Sequence, residues 1–151
     1  AADPEHAAEY KAKGEELATA LKAIDANFKA EFAKVPAERR KIVTSHDAFG
    51  YFADAYGIQF VAPEGVSTES EASAADVAKI IRQIKAEKIT ALFAENITDP
   101  RLLNQIARET GVTIGGELFS DALSPPDGAA PTYLKMFENN GAKLLAAMNA
   151  N

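Results

Sequence analysis

The sequence predicts an α/β fold, a four-stranded, mostly parallel sheet with helices on both faces, preceded by one long connecting helix. Two observations carry that reading. Short runs of β-branched and apolar residues alternate with stretches whose apolar residues recur every three or four positions, which is the pattern of parallel βαβ units with right-handed crossovers. Residues that open and close helices punctuate the boundaries between them. The chain has 151 residues, 47% of them hydrophobic. That is enough for one sizeable core, with room for a segment that reaches outside it.

Each element follows from its residues. Leu17, Leu21, Ile24, Phe28 and Phe32 keep helical spacing, so one amphipathic helix is expected from Pro4 to about Ala33, roughly 45 Å long at the standard rise. Asp3 is its expected N-cap, with Pro4 at the first helical position. Gly14 is the expected place for a bend, and Val35-Pro36 ends the helix because the residue before proline leaves the helical region. Ile42 and Val43 suit a buried strand, and Ser45 and Asp47 are residues that open a helix. The stretch 41–52 therefore reads as strand, tight turn, helix, with Phe49, Phe52, Ala53 and Tyr56 facing inward and Gly57 as the C-terminal cap.

Ile58 to Ala62 reads as a second strand, and residues 63–73, with Glu64, Glu69 and Glu71, as an acidic surface loop. Ser73 and Asp76 form a capping signature. The helix they open carries Val77, Ile80, Ile81 and Ile84 on one face and ends near Glu87. Ile89 to Ala94 is nearly all apolar, as a strand buried on both faces would be. Asp99-Pro100 starts a further helix, with Leu102, Leu103, Ile106 and Ala107 inward and Gly111 at its close. Val112 to Leu118 is a fourth strand interrupted by Gly115-Gly116. A loop rich in Pro, Gly and Ala leads to a last helix over about 132–147, burying Tyr133, Met136, Phe137, Leu144 and Leu145.

Composition excludes several functions. The formal charge is -6, the pI is about 5.0, and no basic run is long enough to track a phosphate backbone, so nucleic acid is not an expected partner. The one basic cluster, Arg39-Arg40-Lys41, reads as a solvated strand entrance. The absence of cysteine rules out thiolate zinc sites, disulfides and Cys nucleophiles. No run of about 18 apolar residues could span a membrane as a helix. The chain opens Ala1-Ala2-Asp3-Pro4, without Met or signal peptide, and is expected to be cut from something longer.

Parallel strands bring their carboxyl ends to one edge, where ligands of open α/β sheets bind. His46, Glu95 and Asp121 are the polar residues just past three different strands and are expected to converge there. A histidine with one or two carboxylates matches a ligand set of zinc or manganese. Each residue also has a structural reading: His46 as a hydrogen-bonded strand end, Glu95 as the cap of the next turn, Asp121 as the N-cap of a turn through Ser124. His6 reads as a solvated residue of the first helical turn. An enzyme using His46 as general base with Asp121 or Glu95 is the alternative from another class. It lacks a serine in a nucleophile-elbow setting, and no Gly-rich phosphate loop is present.

Four stretches, taken jointly, resemble a known family: Thr44-Ser45-His46-Asp47-Ala48-Phe49-Gly50-Tyr51-Phe52, Gly65-Val66-Ser67-Thr68-Glu69-Ser70-Glu71, Leu92-Phe93-Ala94-Glu95 and Gly116-Glu117-Leu118-Phe119-Ser120-Asp121-Ala122-Leu123-Ser124. Their order and spacing are similar to those of the metal-binding solute receptors of bacterial ABC importers for zinc and manganese. In that family two α/β lobes are joined by one long rigid helix, and the metal lies between the lobes. The resemblance implies that residues 1–35 are the interlobe helix and 36–151 the C-terminal lobe, with the N-terminal lobe absent. It carries over His46 and Asp121 as metal ligands, and Glu95 as an acid that supports the site without holding the ion. The family pattern has Pro where this chain has Ala72, a departure in the loop and not at the ligands.

The implied function is a periplasmic or lipid-anchored receptor that delivers its ion to an ABC permease and performs no catalysis. A histidine at position 46 tilts the ion towards zinc, with manganese as the alternative. The missing lobe, or a second copy of the chain, would complete the site.

Overall fold

The computed structural model describes residues 2–63, 65 and 72–150. Most of the acidic loop expected over 63–73, Glu64, Glu69 and Glu71 included, and most of the Gly65 to Glu71 motif lie outside the described residues. The elements are α1 (Ala7–Lys34), β1 (Lys41–Thr44), α2 (Gly50–Tyr56), β2 (Gln59–Val61), α3 (Ala74–Glu87), β3 (Ala91–Glu95), α4 (Arg101–Thr110), β4 (Thr113–Leu118) and α5 (Tyr133–Asn149), with one turn of 3-10 helix at Ala37–Arg39. The sheet has four strands in the order β2-β1-β3-β4, and all three pairings are parallel.

The strand order fixes where a ligand can lie. From β1 the chain moves outward to β2, then crosses back to β3 and on to β4, so the direction of winding reverses between β1 and β3. A crevice opens outside the carboxyl ends of two such strands because their connections leave on opposite faces. His46 follows β1 and Glu95 ends β3, one on each side of that point.

The two faces carry separate cores. Phe28 and Phe32 of α1, Phe49 and Tyr56 at α2, and Leu144 and Met148 of α5 pack with Ile42, Phe93 and Leu118 from the sheet. On the opposite face, Val77, Ile80 and Ile84 of α3 and Leu103 and Ile106 of α4 pack on Val43 and Leu92. Residues such as Phe32, Val43, Leu92 and Ile106 are fully buried; each contributes about 1.5–3 kcal/mol relative to an exposed side chain.

The caps decide most boundaries. The Ser73 hydroxyl accepts from the Asp76 N–H, as its sequence signature indicates, and Lys88 closes α3 in the left-handed region at φ 54°. Gly57 and Gly111 close α2 and α4 in the same conformation. The Asp99 carboxylate accepts from the Arg101 N–H at 2.9 Å at the start of α4. Gly115-Gly116 is a bulge: Leu92 pairs with Ile114 and Ala94 with Glu117, so two residues face one. A side chain at 115 would meet the Phe93 ring at 2.7 Å.

Four expectations are corrected. Asp3 and Pro4 do not cap α1, which begins at Ala7; the Asp3 carboxylate instead accepts from the Tyr10 hydroxyl at 2.7 Å and faces His6 Nδ1 at 3.0 Å. Helix α2 begins at Gly50 without a side-chain cap, because residues 45–49 are spent in the turn that carries His46. Tyr133 is 50% exposed and not buried, since it stands at the first position of α5, beyond the end of the packed face. The basic cluster is only partly solvated: the Arg40 guanidinium donates to the Val35 carbonyl at 2.8 Å and the Ala33 carbonyl at 3.3 Å, closing the end of α1, and Lys41 pairs with Glu87 at 2.8 Å.

Helix α1 runs without interruption through Gly14, and its residues 7–19 are exposed. Only from Ala20 onward does one face pack on the domain. Glu9 with Lys13 and Asp25 with Lys29 are ion pairs one turn apart on its exposed surface, where solvent screening leaves such pairs little effect on stability.

Candidate metal centre

His46 lies two residues past β1 and is 2% exposed. Its backbone is tied on every side. The Thr44 hydroxyl donates to its carbonyl at 3.1 Å, and its own N–H donates to Glu95 Oε1 at 3.0 Å. The next peptide, Asp47 N–H, donates to the Gly65 carbonyl at 3.2 Å. The imidazole therefore has little freedom.

Each ring nitrogen faces a carboxylate. Nδ1 stands 2.8 Å from Glu95 Oε2, although that oxygen is off the line of a ring N–H and completes no hydrogen bond. Nε2 stands 3.1 Å from Asp121 Oδ2. The two carboxylates live in different surroundings: the Glu95 side chain is 0% exposed and that of Asp121 62%. Glu95 is thus a buried acid committed to His46, by its contact with the backbone and its approach to the ring. Asp121 is a solvent-facing acid at the mouth.

The three residues expected to converge do so, at one edge and through one imidazole. Their structural readings are realised in part: His46 is a hydrogen-bonded residue at the strand end, the Glu95 carbonyl receives Thr98 in the next turn while its side chain turns to His46, and the Asp121 side chain turns to His46.

The surroundings suit a cation. His46, Asp47, Tyr51, Asp54 and Asp121 line one open depression, and no lysine or arginine is among its described lining residues. Three carboxylates on such a wall lower the local potential for a positive ion. Buried side-chain atoms without a protein hydrogen bond, Ser45 Oγ, His46 Nδ1, Glu95 Oε2, Asn96 Oδ1 and Ser120 Oγ, all sit at the carboxyl ends of β1, β3 and β4. Among the described residues no other buried side-chain N or O atom lacks a partner, so the concentration of unsatisfied ones marks this edge as the place built for something other than stability. Among the described residues, no group of three or more His, Cys, Asp or Glu is arranged to hold a metal by itself. What this edge offers is one nitrogen and one exposed carboxylate.

Two contributors had no clear signal in the sequence. The Gly65 carbonyl and the Thr44 hydroxyl act through the backbone of the His46 turn, and nothing in their spacing announces it. Asn140 could have been noticed. It lies on the apolar face of α5, one turn before Leu144, and is 5% exposed. Its carboxamide accepts from Phe119 N–H at 3.0 Å and donates to the Phe119 carbonyl at 2.7 Å.

Comparison with known proteins identifies the family. A family described as zinc-uptake complex component A, periplasmic, matches residues 1–147. Zinc-binding protein TroA of Treponema pallidum is 40% identical over 133 residues, which are 85% of this chain and 43% of that protein. Iron-binding protein YfeA of Yersinia pestis is 34% identical over 134 residues, and manganese-binding lipoprotein MntA of Bacillus subtilis 34% over 142. The solved structure of periplasmic TroA superposes with a TM-score of 0.90 at 35% identity, covering 96% of this chain and 54% of that one. A manganese-bound periplasmic metal-binding protein from Candidatus Liberibacter asiaticus gives 0.86 at 30% identity, with 97% and 54% covered. The chain spans about half the length of the relatives it matches. By its sequence over residues 1–147 and by its fold, the chain belongs to the periplasmic zinc-uptake component A family of metal-binding proteins.

Proposed function

We propose that this chain is the C-terminal lobe, residues 36–151, with the connecting helix, residues 1–35, of an extracytoplasmic receptor that captures a transition-metal ion and hands it to an ABC permease. The ion is the cargo, and no catalysis is involved. The family and the names of the relatives, which include zinc-, iron- and manganese-binding proteins, support a metal. The nitrogen at His46 and the acceptance of almost any such site by zinc make zinc the first choice, with manganese next.

The observation that carries the reading is the separation of 3.1 Å between His46 Nε2 and Asp121 Oδ2. Two ligands of one tetrahedral zinc stand about 3.4 Å apart at ordinary bond lengths. An ion could enter between them with a shift of a few tenths of an ångström. In this arrangement His46 and Asp121 are the ligands. Glu95 Oε2 stands 2.8 Å from Nδ1 behind the imidazole, which leaves Nε2 as the nitrogen directed outward, and a carboxylate commonly stands on that side of a ligating histidine.

A histidine and a carboxylate are half of a closed four-ligand shell. The remaining ligands would come from the part of the relatives' length that this chain does not span, or from a second copy. Isothermal titration of the 151-residue chain with zinc tests this. Weak binding is expected, accompanied by a rise in melting temperature, and lost in His46→Ala and Asp121→Ala. Undiminished binding by both variants would overturn the ligand assignment, and tight one-to-one binding by a monomer would overturn the half-site.

A further inference from the structure

Asp121 has an exposed side chain in a loop, yet it stands against one particular nitrogen. Something must fix the chain that carries it. β4 is an edge strand whose one neighbour is β3, and it ends at Leu118. Phe119 is the first residue beyond it, is 5% exposed, and would leave an N–H and a carbonyl buried and unpaired on the side away from the sheet.

The Asn140 carboxamide meets both groups at once, at 3.0 and 2.7 Å, as a neighbouring strand would. Asn139 Nδ2 adds a contact to Asn140 Oδ1 at 3.3 Å. On the far side of Asp121, Asn96 Nδ2 donates to the Ala122 carbonyl at 3.2 Å. The Asp121 segment is therefore pinned two residues before and one residue after the carboxylate, and the buried pin belongs to α5.

We propose that Asn140 is a positioning residue: by holding both polar groups of the Phe119 peptide it fixes the exit of β4 and so sets the distance between the Asp121 carboxylate and His46 Nε2. Its consequence for metal rests on reading those two side chains as ligands. The geometry it claims does not. A merely structural asparagine would add stability to α5 and β4 without governing the contact 3.1 Å long at His46.

The test uses the 151-residue chain and two readouts, the ring nitrogen shifts of His46 by NMR and calorimetric titration with zinc ion alone. Asn140→Leu keeps the approximate size and removes both prongs. Asn140→Asp keeps the acceptor for the Phe119 N–H and loses the donor. Leu144→Ala, one turn further along α5 at a residue 0% exposed, is the control for general loosening. Asn140→Leu is expected to move the His46 Nε2 signal in the same sense as Asp121→Ala and to weaken zinc about tenfold, the lower end of what support residues around metal ligands cost. Asn140→Asp should fall between, and Leu144→Ala should lower the melting temperature without moving the ring signal.

The inference is overturned if Asn140→Leu leaves the Nε2 signal in place while Asp121→Ala shifts it, or if Leu144→Ala shifts it as far as Asn140→Leu does. Should His46→Ala and Asp121→Ala leave zinc binding intact, the ligand reading fails, and the ring signal alone still decides the positioning role.

Discussion

On the face of the sheet covered by α3 and α4 the core is aliphatic, with Val77, Ile80, Ile84, Leu103 and Ile106 on Val43 and Leu92. The face covered by α1, α2 and α5 is filled with rings. Phe28 lies 5.8 Å from Phe32 and 6.0 Å from Tyr56 between centroids, and Phe52 lies 4.5 Å from Tyr56. Branched aliphatic chains mesh through helical spacing alone, and small adjustments of rotamer absorb misfit. Rings are rigid plates, and a cluster of them closes only where a neighbour gives up its side chain. Gly141 of α5 does so over Phe28, and Gly115 of β4 over Phe93.

The site hangs from the aromatic face. Phe49 follows the His46 turn, stacked on Phe60 at 5.1 Å, and Phe119 begins the Asp121 segment. Asn140, which pairs with Phe119, is the residue before Gly141. A change on the ringed face that frees the Phe49 or Phe119 segment should therefore reach His46 and Asp121, whereas a change that leaves both segments held, on either face, should cost stability alone.

The strongest way to break that comparison is Gly141→Ala. The added Cβ would overlap the Phe28 ring, and the ring's movement is hindered by Phe32, Phe52 and Tyr56 beside it. Overpacking of this kind costs about 1–3 kcal/mol, against which alanine recovers up to about 1 kcal/mol of helix propensity. A net loss of about 1–2 kcal/mol is expected by urea denaturation. Combining it with Phe28→Leu should cost less than the sum of the two single changes, because the removed ring atoms are those the new methyl strikes. Additive losses would show that the two residues do not meet.

A smaller effect tests the aliphatic face. Ser73→Ala removes the hydroxyl that accepts from Asp76 N–H at 3.2 Å, and an N-cap of this type is worth about 1 kcal/mol. The loss should appear in thermal or urea unfolding, with the His46 ring signals unchanged. A shift of those signals would mean that the α3 face also communicates with the site, and the contrast between the faces would fall.

The sequence made the aliphatic face the more legible of the two. Val77, Ile80 and Ile84 announce α3 by period, Ser73 and Asp76 by cap, and the parallel sheet follows from the alternation of strands with helices. The convergence of His46, Glu95 and Asp121 was legible because parallel strands deliver their ends to one edge whatever the packing beneath. Less visible were features that depend on partners far away in the chain. Gly141 reads as an ordinary weak point of a helix until Phe28, on another helix, is set against it. Asn140 reads as a stray polar residue until Phe119 presents its peptide. The failure of Asp3 and Pro4 to cap α1 is of the same kind: local preference placed the helix start correctly to within a turn, but the carboxylate had Tyr10 and His6 within reach.

The smallest expected effect lies where α1 joins the ringed face. The Tyr56 hydroxyl donates to Asp25 Oδ1 at 3.2 Å, and Tyr56→Phe should cost only about 0.5–1 kcal/mol near neutral pH, the net worth of one hydrogen bond. Its pH dependence is more telling. Burial first, then the hydrogen bond to Asp25 and its charge, push the phenol from 10.0 up to about 12. Between those values the folded chain keeps a proton that the unfolded chain has released, so stability falls as pH rises. Tyr56 thus contributes in full below pH 10 and loses its contribution by about pH 12. Melting temperatures measured from pH 9 to 12 should fall more steeply in the unsubstituted chain than in Tyr56→Phe, and the gap between the two should narrow with alkalinity. Parallel curves would mean that Tyr56 titrates as a free phenol, and that the ringed face is looser at its α1 border than the distances among Phe28, Phe32 and Tyr56 indicate.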